Sequence, residues 1–307
     1  MNIKNNVILL KSNHIRGVLP LTREKFNEIL HSESYIIWKI KDFDTHELAD
    51  TPVKSPDAQL VELKNSDLHG AYLSAHFDAG IWPVVYQGEN NGHLIRHVCP
   101  LKTAEGKISS QGGKFDFYPH VDNPDLKITG EDSISNIGNC PDTLTLLCLR
   151  AEPGVNTSLL QLDKVIEVLP EDVVQTLSKP LYRVKRPDSF EGSLSVEMVP
   201  VLVKSNDTWY SRFDWHNING LSAEAEMALE KMRAVTLDKN LWLDIPLHPG
   251  EAVTFLNQRT LHTRNSFNPR YDGTDRWLLR IFGLMNRPPI SHLLEPHVCL
   301  HHLRTFL

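Results

Sequence analysis

The stretch Pro249-Gly-Glu-Ala-Val-Thr-Phe-Leu-Asn-Gln-Arg-Thr-Leu-His262 indicates the kind of fold this chain adopts. A Pro-Gly turn opens it, and an apolar, strand-like run follows directly. His262 comes where the end of a strand would point its imidazole into the mouth of a barrel. Residues 143–150 and 277–282 are similar apolar runs, with turn residues close before them. Short strands are therefore the predicted main elements.

Three other segments carry helical periodicity. They are residues 21–31, with Thr22 as the N-cap, residues 162–177, and residues 222–237, with Ser222 before an acidic first turn. Short strands with a few helices predict a mainly β protein with peripheral helices around a double-stranded β-helix, the jelly roll of cupin-like proteins. We expect one domain over residues 1–307, with the jelly-roll core at about 70–290 and helical N-terminal and insert segments.

Composition excludes several classes of partner. The 307 residues carry a formal net charge of −6 and no run of Lys or Arg, which argues against a nucleic-acid partner. The first residues contain only four consecutive apolar side chains, too few for a signal peptide or a membrane span. The four Cys are scattered, as is typical of free thiols in a reducing compartment. We expect a cytoplasmic protein that acts on a small molecule.

A candidate metal site combines His120-Val-Asp122 with His262. Two imidazoles and one carboxylate are the ligand set of non-haem Fe(II) oxygenases. The chain holds two further His-x-acid pairs. His31/Glu33 falls in a predicted helix, where residues two apart point away from each other. His76/Asp78 and His120/Asp122 are both possible chelators if they lie on strands, and sequence context favours His120.

Two arginines follow His262. In residues 276–282 the alternation of a strand would place Arg276 and Arg280 on one face, together with Leu278 and Phe282. One interpretation is a solvated exterior face. The other is an inward face, in which each guanidinium needs an anionic partner to offset its loss of solvation, and a carboxylate suits that geometry.

The ordered set His120, Asp122, His262, Arg276 and Arg280 resembles the iron- and 2-oxoglutarate-dependent oxygenases, in particular the clavaminate synthase-like and taurine dioxygenase-like branch. The match runs from about residue 113 to residue 284. The resemblance implies that the first three residues bind Fe(II). It also implies that 2-oxoglutarate takes two of the remaining iron positions and O2 the third, and that Arg276 holds the far carboxylate of the keto acid.

The same resemblance implies further contacts. Thr157 looks like the family threonine that offers a hydroxyl to the same carboxylate, although a solvated loop threonine is an equally good interpretation. Arg280 would reach the substrate carboxylate, and Gln87 and Asp214 would contact the substrate, with an exposed Asp214 as the alternative. Halogenating relatives lack the carboxylate ligand, so the presence of Asp122 argues against halogenation.

The implied activity is hydroxylation of an unactivated C–H bond in a free amino acid or an amino-acid-derived natural-product intermediate, with release of succinate and CO2. Desaturation, cyclisation and attack on a small organic acid, as in taurine dioxygenase, remain alternatives within the family. A non-catalytic metal-binding jelly roll or a zinc hydrolase are alternatives from other classes. Substrate identity and oligomeric state do not follow from the sequence. No ligand spacing recurs among the C-terminal histidines, which we interpret as packing or surface residues: His292, His297, His301 and His302.

Overall fold

The computed structural model describes residues 7–11, 22–40, 43–54, 67–105, 112–131, 139–187, 190 and 194–301. Within this part of the chain there are five α-helices and eighteen strands. The helices are α1 (Arg23–Glu33), α2 (Asp67–Asp78), α3 (Leu162–Val168), α4 (Glu171–Leu177) and α5 (Ala223–Thr236). The strands are β1 (Val7–Lys11), β2 (Tyr35–Ile40), β3 (Trp82–Tyr86), β4 (Arg96–Val98), β5 (Phe117–His120), β6 (Thr143–Arg150), β7 (Thr157–Gln161), β8 (Tyr182–Lys185), β9 (Ser195–Val199), β10 (Leu202–Ser205), β11 (Thr208–Ser211), β12 (Ile218–Gly220), β13 (Leu243–Ile245), β14 (Glu251–Leu256), β15 (Thr260–Arg264), β16 (Trp277–Leu284), β17 (Leu293–Glu295) and β18 (Val298–Cys299).

Two sheets form the body of the molecule. The larger has the order β1-β2-β14-β6-β16-β3-β18-β17, with β4 added alongside β16, and the smaller has the order β13-β7-β15-β5. One apolar core joins them, since Leu144 and Phe255 from the large sheet cluster with Leu159 and Leu261 from the small one. The prediction of a mainly β protein with a jelly-roll core and peripheral helices is confirmed. Strands β1 and β2, N-terminal to residue 70, extend the large sheet through β14.

The central strands of the large sheet are buried on both faces. On β16, Leu278 and Phe282 face the core between the sheets, whereas Trp277, Leu279 and Ile281 pack in a second core with residues of α1 and α2. All eight residues of β16 are buried, which explains its continuous apolar character. The solvated-face interpretation of Arg276 and Arg280 is therefore wrong.

Two of the three predicted helices are confirmed. Thr22 caps α1 by accepting a hydrogen bond from Lys25 N at 3.2 Å, and Ser222 caps α5 by accepting one from Ala225 N at 3.1 Å. The single helix predicted over residues 162–177 is wrong, because the chain forms α3 and α4 with a break at Leu169 and Pro170. Proline lacks the N–H that a continuing helix needs, and it disfavours helical geometry in the residue before it.

The strand interpretation of His76/Asp78 is also wrong. Both residues lie on α2, where positions two apart point to different sides. His76 is buried with Nδ1 2.8 Å from the Tyr72 carbonyl oxygen, while Asp78 is exposed. The pair therefore cannot share an ion. None of the described helices is long and apolar enough to cross a lipid bilayer.

Candidate metal centre

The two histidines of the candidate site meet across a pair of strands. Strands β5 and β15 are antiparallel, and His120 is the direct register partner of His262. Asp122 follows in the bend after β5. Its Oδ1 lies 3.6 Å from His120 Nε2, and its Oδ2 lies 3.8 Å from His262 Nε2. The three side chains offer ligand atoms within 4.8 Å of one another and form the one such cluster of His, Cys, Asp and Glu in the described part of the chain.

The donor atoms suit a divalent metal. His120 Nδ1 lies 2.8 Å from the Tyr118 carbonyl oxygen, which fixes the ring and directs Nε2 toward Asp122. Among the described residues, the buried His120 Nε2 has no hydrogen-bond partner. Two ligand atoms that are each about 2.1 Å from one ion lie at most about 4.2 Å apart. Both carboxylate-to-imidazole distances fall within that limit, so each histidine can share an ion with the Asp122 carboxylate.

The protonation states of His262 and Asp122 also suit metal binding. Burial, followed by the neighbouring charge of His120, lowers the pKa of His262 to about 3, so this imidazole keeps a free lone pair at neutral pH. Burial alone would raise the pKa of Asp122, but His120, Arg280 and His262 outweigh it and hold that pKa well below its usual range. Burial would likewise lower the pKa of His120, yet the Asp122 carboxylate raises it. Asp122 is therefore an anionic ligand.

The backbone of Asp122 is held by an amide that sequence reasoning missed. Asn257 is fully buried between β14 and β15; its Oδ1 accepts from Asp122 N and its Nδ2 donates to Asp122 O, both at 3.0 Å. The same Nδ2 also donates to the Pro141 carbonyl oxygen at 3.1 Å. Asn257 itself lies just before β15, the strand that carries His262. Its side chain thus ties the turn that carries Asp122 to the segment that leads into β15.

Arg276 is a buried cation without a counter-ion among the residues that the structure describes. Its Nη2 donates to Thr157 Oγ1 at 3.2 Å, and within the described residues no carboxylate lies within ion-pair distance of it. Burial, and then the nearby charge of Arg264, lowers the pKa of Arg276 to about 10. Thr157 begins β7 and is buried, so the interpretation as a solvated loop residue is wrong. A buried guanidinium beside a hydroxyl suits an anionic ligand such as a carboxylate.

Arg280, on β16, contacts the cluster directly. Its Nη1 is 3.4 Å from Asp122 Oδ2, and its Nη2 pairs with Glu89 Oε1. Glu89 is 1% exposed and also receives Arg96 Nη1 at 3.5 Å. Sequence analysis missed Glu89, because its partner Arg280 comes from a strand 191 residues away along the chain. The only available signal was its place two residues after Gln87.

The two remaining candidates lie nearby. Gln87 is half-buried in the turn after β3, where its backbone N donates to the Cys299 carbonyl oxygen at 2.8 Å. Asp214 forms a backbone bridge with His120 and is buried, so the exposed alternative is wrong. Asp214 Oδ1 accepts from the backbone N–H groups of His216 and Asn217, and Oδ2 accepts from Asn217 Nδ2 at 2.8 Å. A direct substrate contact by either residue stays a prediction.

Comparison with known proteins places this geometry in context. The family model described as taurine catabolism dioxygenase TauD, TfdA family matches residues 131–282. An L-asparagine oxygenase from Streptomyces coelicolor is 31% identical over 207 residues, 66% of this chain and 57% of the relative. An L-lysine 3-hydroxylase from Catenulispora acidiphila is 28% identical over 65% of this chain and 54% of the relative. These alignments span less than two thirds of the relatives' lengths.

Solved structures match over a longer part of the chain. The crystal structure of an asparagine oxygenase with Fe(II), 3-hydroxyasparagine and succinate has a TM-score of 0.78 and 26% identity, covering 91% of this chain and 85% of that one. The non-heme iron oxygenase OrfP with Fe and alpha-ketoglutaric acid has a TM-score of 0.74 over 91% of this chain and 84% of that one. At 20% identity, OrfP supports the shared fold alone.

Proposed function

Because residues 131–282 match the TauD/TfdA family model, we propose that the chain is an Fe(II)- and 2-oxoglutarate-dependent oxygenase of this family. The proposed reaction hydroxylates an unactivated C–H bond of a free amino acid, or of an amino-acid-derived natural-product intermediate, and releases succinate and CO2. His120, Asp122 and His262 would hold the iron, which when bound supplies the O2 chemistry that such a bond requires.

One observation carries the proposal: Arg276 is buried against Thr157 on β7, the strand that pairs with β15 beside His262, and no described carboxylate lies within ion-pair distance of it. Burying an unpaired charge is costly unless a ligand provides the opposite charge. The far carboxylate of 2-oxoglutarate supplies that charge, and a guanidinium can hold its two oxygens while Thr157 donates its hydroxyl. Held at that end, the keto acid has its other end directed toward the three ligands, which is the orienting effect that lowers a reaction barrier.

A second observation supports an amino acid as the substrate. Arg280 and Glu89 place opposite charges side by side next to Asp122. Arg280 suits an α-carboxylate, and Glu89 suits an α-ammonium group, so that a zwitterion satisfies both. Only one oxygen of Glu89 meets the arginines, and among described residues its Oε2 has no hydrogen-bond partner. The names of the two matched relatives, an asparagine oxygenase and a lysine 3-hydroxylase, also refer to amino acids.

Several finer points belong to the same proposal. We place Gln87 and Asp214 among the substrate contacts, assign residues 1–307 to one oxygenase domain, and locate the protein in the cytoplasm without a nucleic-acid partner. Desaturation or cyclisation would use the same residues as hydroxylation. A purely anionic substrate, as in a taurine dioxygenase-like reaction, is less well suited, because the Glu89 carboxylate would repel it.

The first test concerns the keto acid. Anaerobic addition of Fe(II) and 2-oxoglutarate to the protein should give a weak visible charge-transfer band. Arg276→Ala should lose the band, whereas Arg183→Ala should keep it, because the Arg183 side chain is exposed and pairs with Glu197 at 2.6 Å.

The second test concerns turnover. Succinate release is measured with free amino acids, their acylated forms and cyclic dipeptides as substrates. The products are analysed by mass spectrometry for gain of oxygen or loss of two hydrogens. If the wild-type protein shows no band and releases no succinate with any of them, the oxygenase proposal is wrong and a non-catalytic metal-binding jelly roll is favoured.

A further inference from the structure

A series of contacts between neighbouring residues begins at Asp122 and leads through Glu89 and His301 back to the turn that follows Asp122. Arg280 contacts Asp122 and Glu89, the backbone of Glu89 bridges to Phe190, and the Phe190 ring lies 4.5 Å from the His301 ring between centroids. His301 Nε2 lies 3.2 Å from Asp125 Oδ2. We call this series the polar ring, and its members are Asp122, Arg280, Glu89, Phe190, His301 and Asp125.

The polar ring closes through a short turn. Asp125 is three residues after Asp122, and the turn between them is fastened by a hydrogen bond from Leu126 N to the Asn123 carbonyl oxygen at 3.2 Å. His301 is brought to this place by β18, which pairs in parallel with β3. The C-terminal segment therefore lies alongside the strand that leads into Gln87 and Glu89.

Arg186 lies against several members of the polar ring. Its guanidinium carbon is 4.8 Å from the centroid of the Phe190 ring, and its Nη2 is 3.4 Å from the Gln87 carbonyl oxygen. Burial lowers the pKa of Arg186, and the nearby carboxylates of Asp125 and Glu89 partly offset that effect. Next to Phe190 and His301 there are thus one cation, Arg186, and one anion, Asp125.

Several polar atoms of the polar ring have no hydrogen-bond partner among the described residues. Within the described residues, Asp125 Oδ1 and His301 Nδ1 are buried without a hydrogen-bond partner, as is Glu89 Oε2. The contact between His301 and Asp125 is close enough for an ion pair but is not aligned as a hydrogen bond. A buried polar atom left unsatisfied costs about 1–3 kcal/mol. Several such atoms around one ring indicate a polar ligand that would satisfy them.

We propose that Asp125, His301 and Arg186 form the side-chain subsite of the polar ring, and that this subsite selects an amino acid whose side chain ends in a carboxamide. This inference rests on the proposed function, with the α-carboxylate at Arg280 and the α-ammonium group at Glu89. The carboxamide donates its N–H to Asp125 and accepts at its oxygen from Arg186 or His301.

The opposite charges of Asp125 and Arg186 disfavour the competing side chains. A side-chain ammonium group would be attracted by Asp125 but repelled by Arg186, and a side-chain carboxylate would be attracted by Arg186 but repelled by Asp125. An apolar side chain of the same size would leave the buried oxygen of Asp125 unsatisfied. A neutral group with both a donor and an acceptor avoids all three penalties.

The test measures binding under nitrogen by titration calorimetry, with Mn(II) in place of Fe(II) and 2-oxoglutarate present. L-asparagine and L-glutamine are compared with L-aspartate, L-leucine and L-lysine. One of the two carboxamides should bind the wild-type protein at least tenfold more tightly than any of the others. Asp125→Asn, which keeps the size of the side chain, should lower that affinity at least tenfold and reduce the discrimination against L-aspartate.

Two C-terminal variants provide the matched comparison. His301→Phe keeps a ring against Phe190 but removes both nitrogens. It should also weaken binding of the amino acid with the carboxamide side chain. His297→Ala should bind all five amino acids as the wild type does, because the His297 ring stacks on Trp82, with centroids 5.2 Å apart, away from the polar ring.

The inference is wrong if the wild type prefers any of the other three amino acids, if its preference for a carboxamide is under tenfold, or if Asp125→Asn and His301→Phe leave the ranking unchanged. Binding of 2-oxoglutarate and succinate release are measured on the same samples. If they occur while the ranking fails, the proposed function stands and only the assignment of the subsite is lost.

Discussion

His262 lies directly opposite His120 on neighbouring antiparallel strands, with ring centroids 4.1 Å apart. Side chains opposite each other in such a pair leave the same face of the sheet. This register supplies two imidazoles without any contribution from loops, and only Asp122, in the bend after β5, depends on a turn. The turn is where the site needs support, and Asn257 provides it.

Replacement of Asn257 by Ala should weaken metal binding although all three ligands remain. The amide holds both backbone groups of Asp122, so its loss frees the turn. We expect Co(II) affinity, followed by absorption titration, to fall about 10–100-fold, as for other groups that orient a ligand. Asn240→Ala removes an exposed amide that bonds only within its own loop and should leave the affinity unchanged. Unaltered Co(II) affinity in Asn257→Ala would contradict this role.

Replacement of Arg276 by Met should stabilise the ligand-free protein and abolish its response to 2-oxoglutarate. The arginine is buried without a counter-ion in the described part of the chain, and exchange of buried charge for apolar volume often gains about 1–4 kcal/mol. Thermal unfolding is measured with Mn(II), with and without 2-oxoglutarate. The wild type should gain stability from the keto acid, as any ligand that binds only the native state provides. A keto-acid response of equal size in Arg276→Met would exclude this binding site.

Glu89→Gln should separate recognition of the amino group from recognition of the carboxylate. The substitution keeps the size of a side chain that is 1% exposed but removes the charge proposed to meet the α-ammonium group. Affinity for a free amino acid should fall about tenfold or more, the usual effect of losing a charged hydrogen bond. Affinity for the N-acetyl form should change little. Equal losses for both forms would show that Glu89 acts only by holding Arg280 and Arg96.

Asp142 should make stability fall as pH rises. Burial raises the pKa of this carboxyl to about 6, from about 3.9 for a free Asp, although it accepts a hydrogen bond from Met285 N. The native state therefore binds the proton more tightly than the unfolded chain does. This stabilisation is complete below the unfolded pKa and is lost as pH rises through the folded pKa, by about 3 kcal/mol at most.

Urea unfolding of the wild type and Asp142→Asn at several pH values from 4 to 7 measures this effect. The free energy of unfolding of the variant relative to the wild type should increase over that interval, because the variant has no carboxyl group to ionise. Parallel pH profiles for the two proteins would contradict the raised pKa.

Much of the fold and of the candidate site was readable from residue types and their spacing. The apolar runs of β6, β14 and β16 predicted strands, because a strand buried on both faces needs apolar side chains throughout. The helix predicted over residues 162–177 failed at Pro170, where local backbone chemistry prevails over hydrophobic periodicity.

Sequence by itself determined the chemistry on offer: two imidazoles, a carboxylate and two arginines in a fixed order along the chain. Tertiary structure decided which of them meet. It placed His76 and Asp78 on a helix, set His262 against His120, and brought Glu89 to Arg280 across 191 residues. Tertiary structure also paired His301 with Asp125 and placed the Asn257 amide where it bonds the backbone of Asp122. Local sequence encodes backbone preference and side-chain chemistry, whereas contacts between distant segments arise only when the sheets pack and bury their charges together.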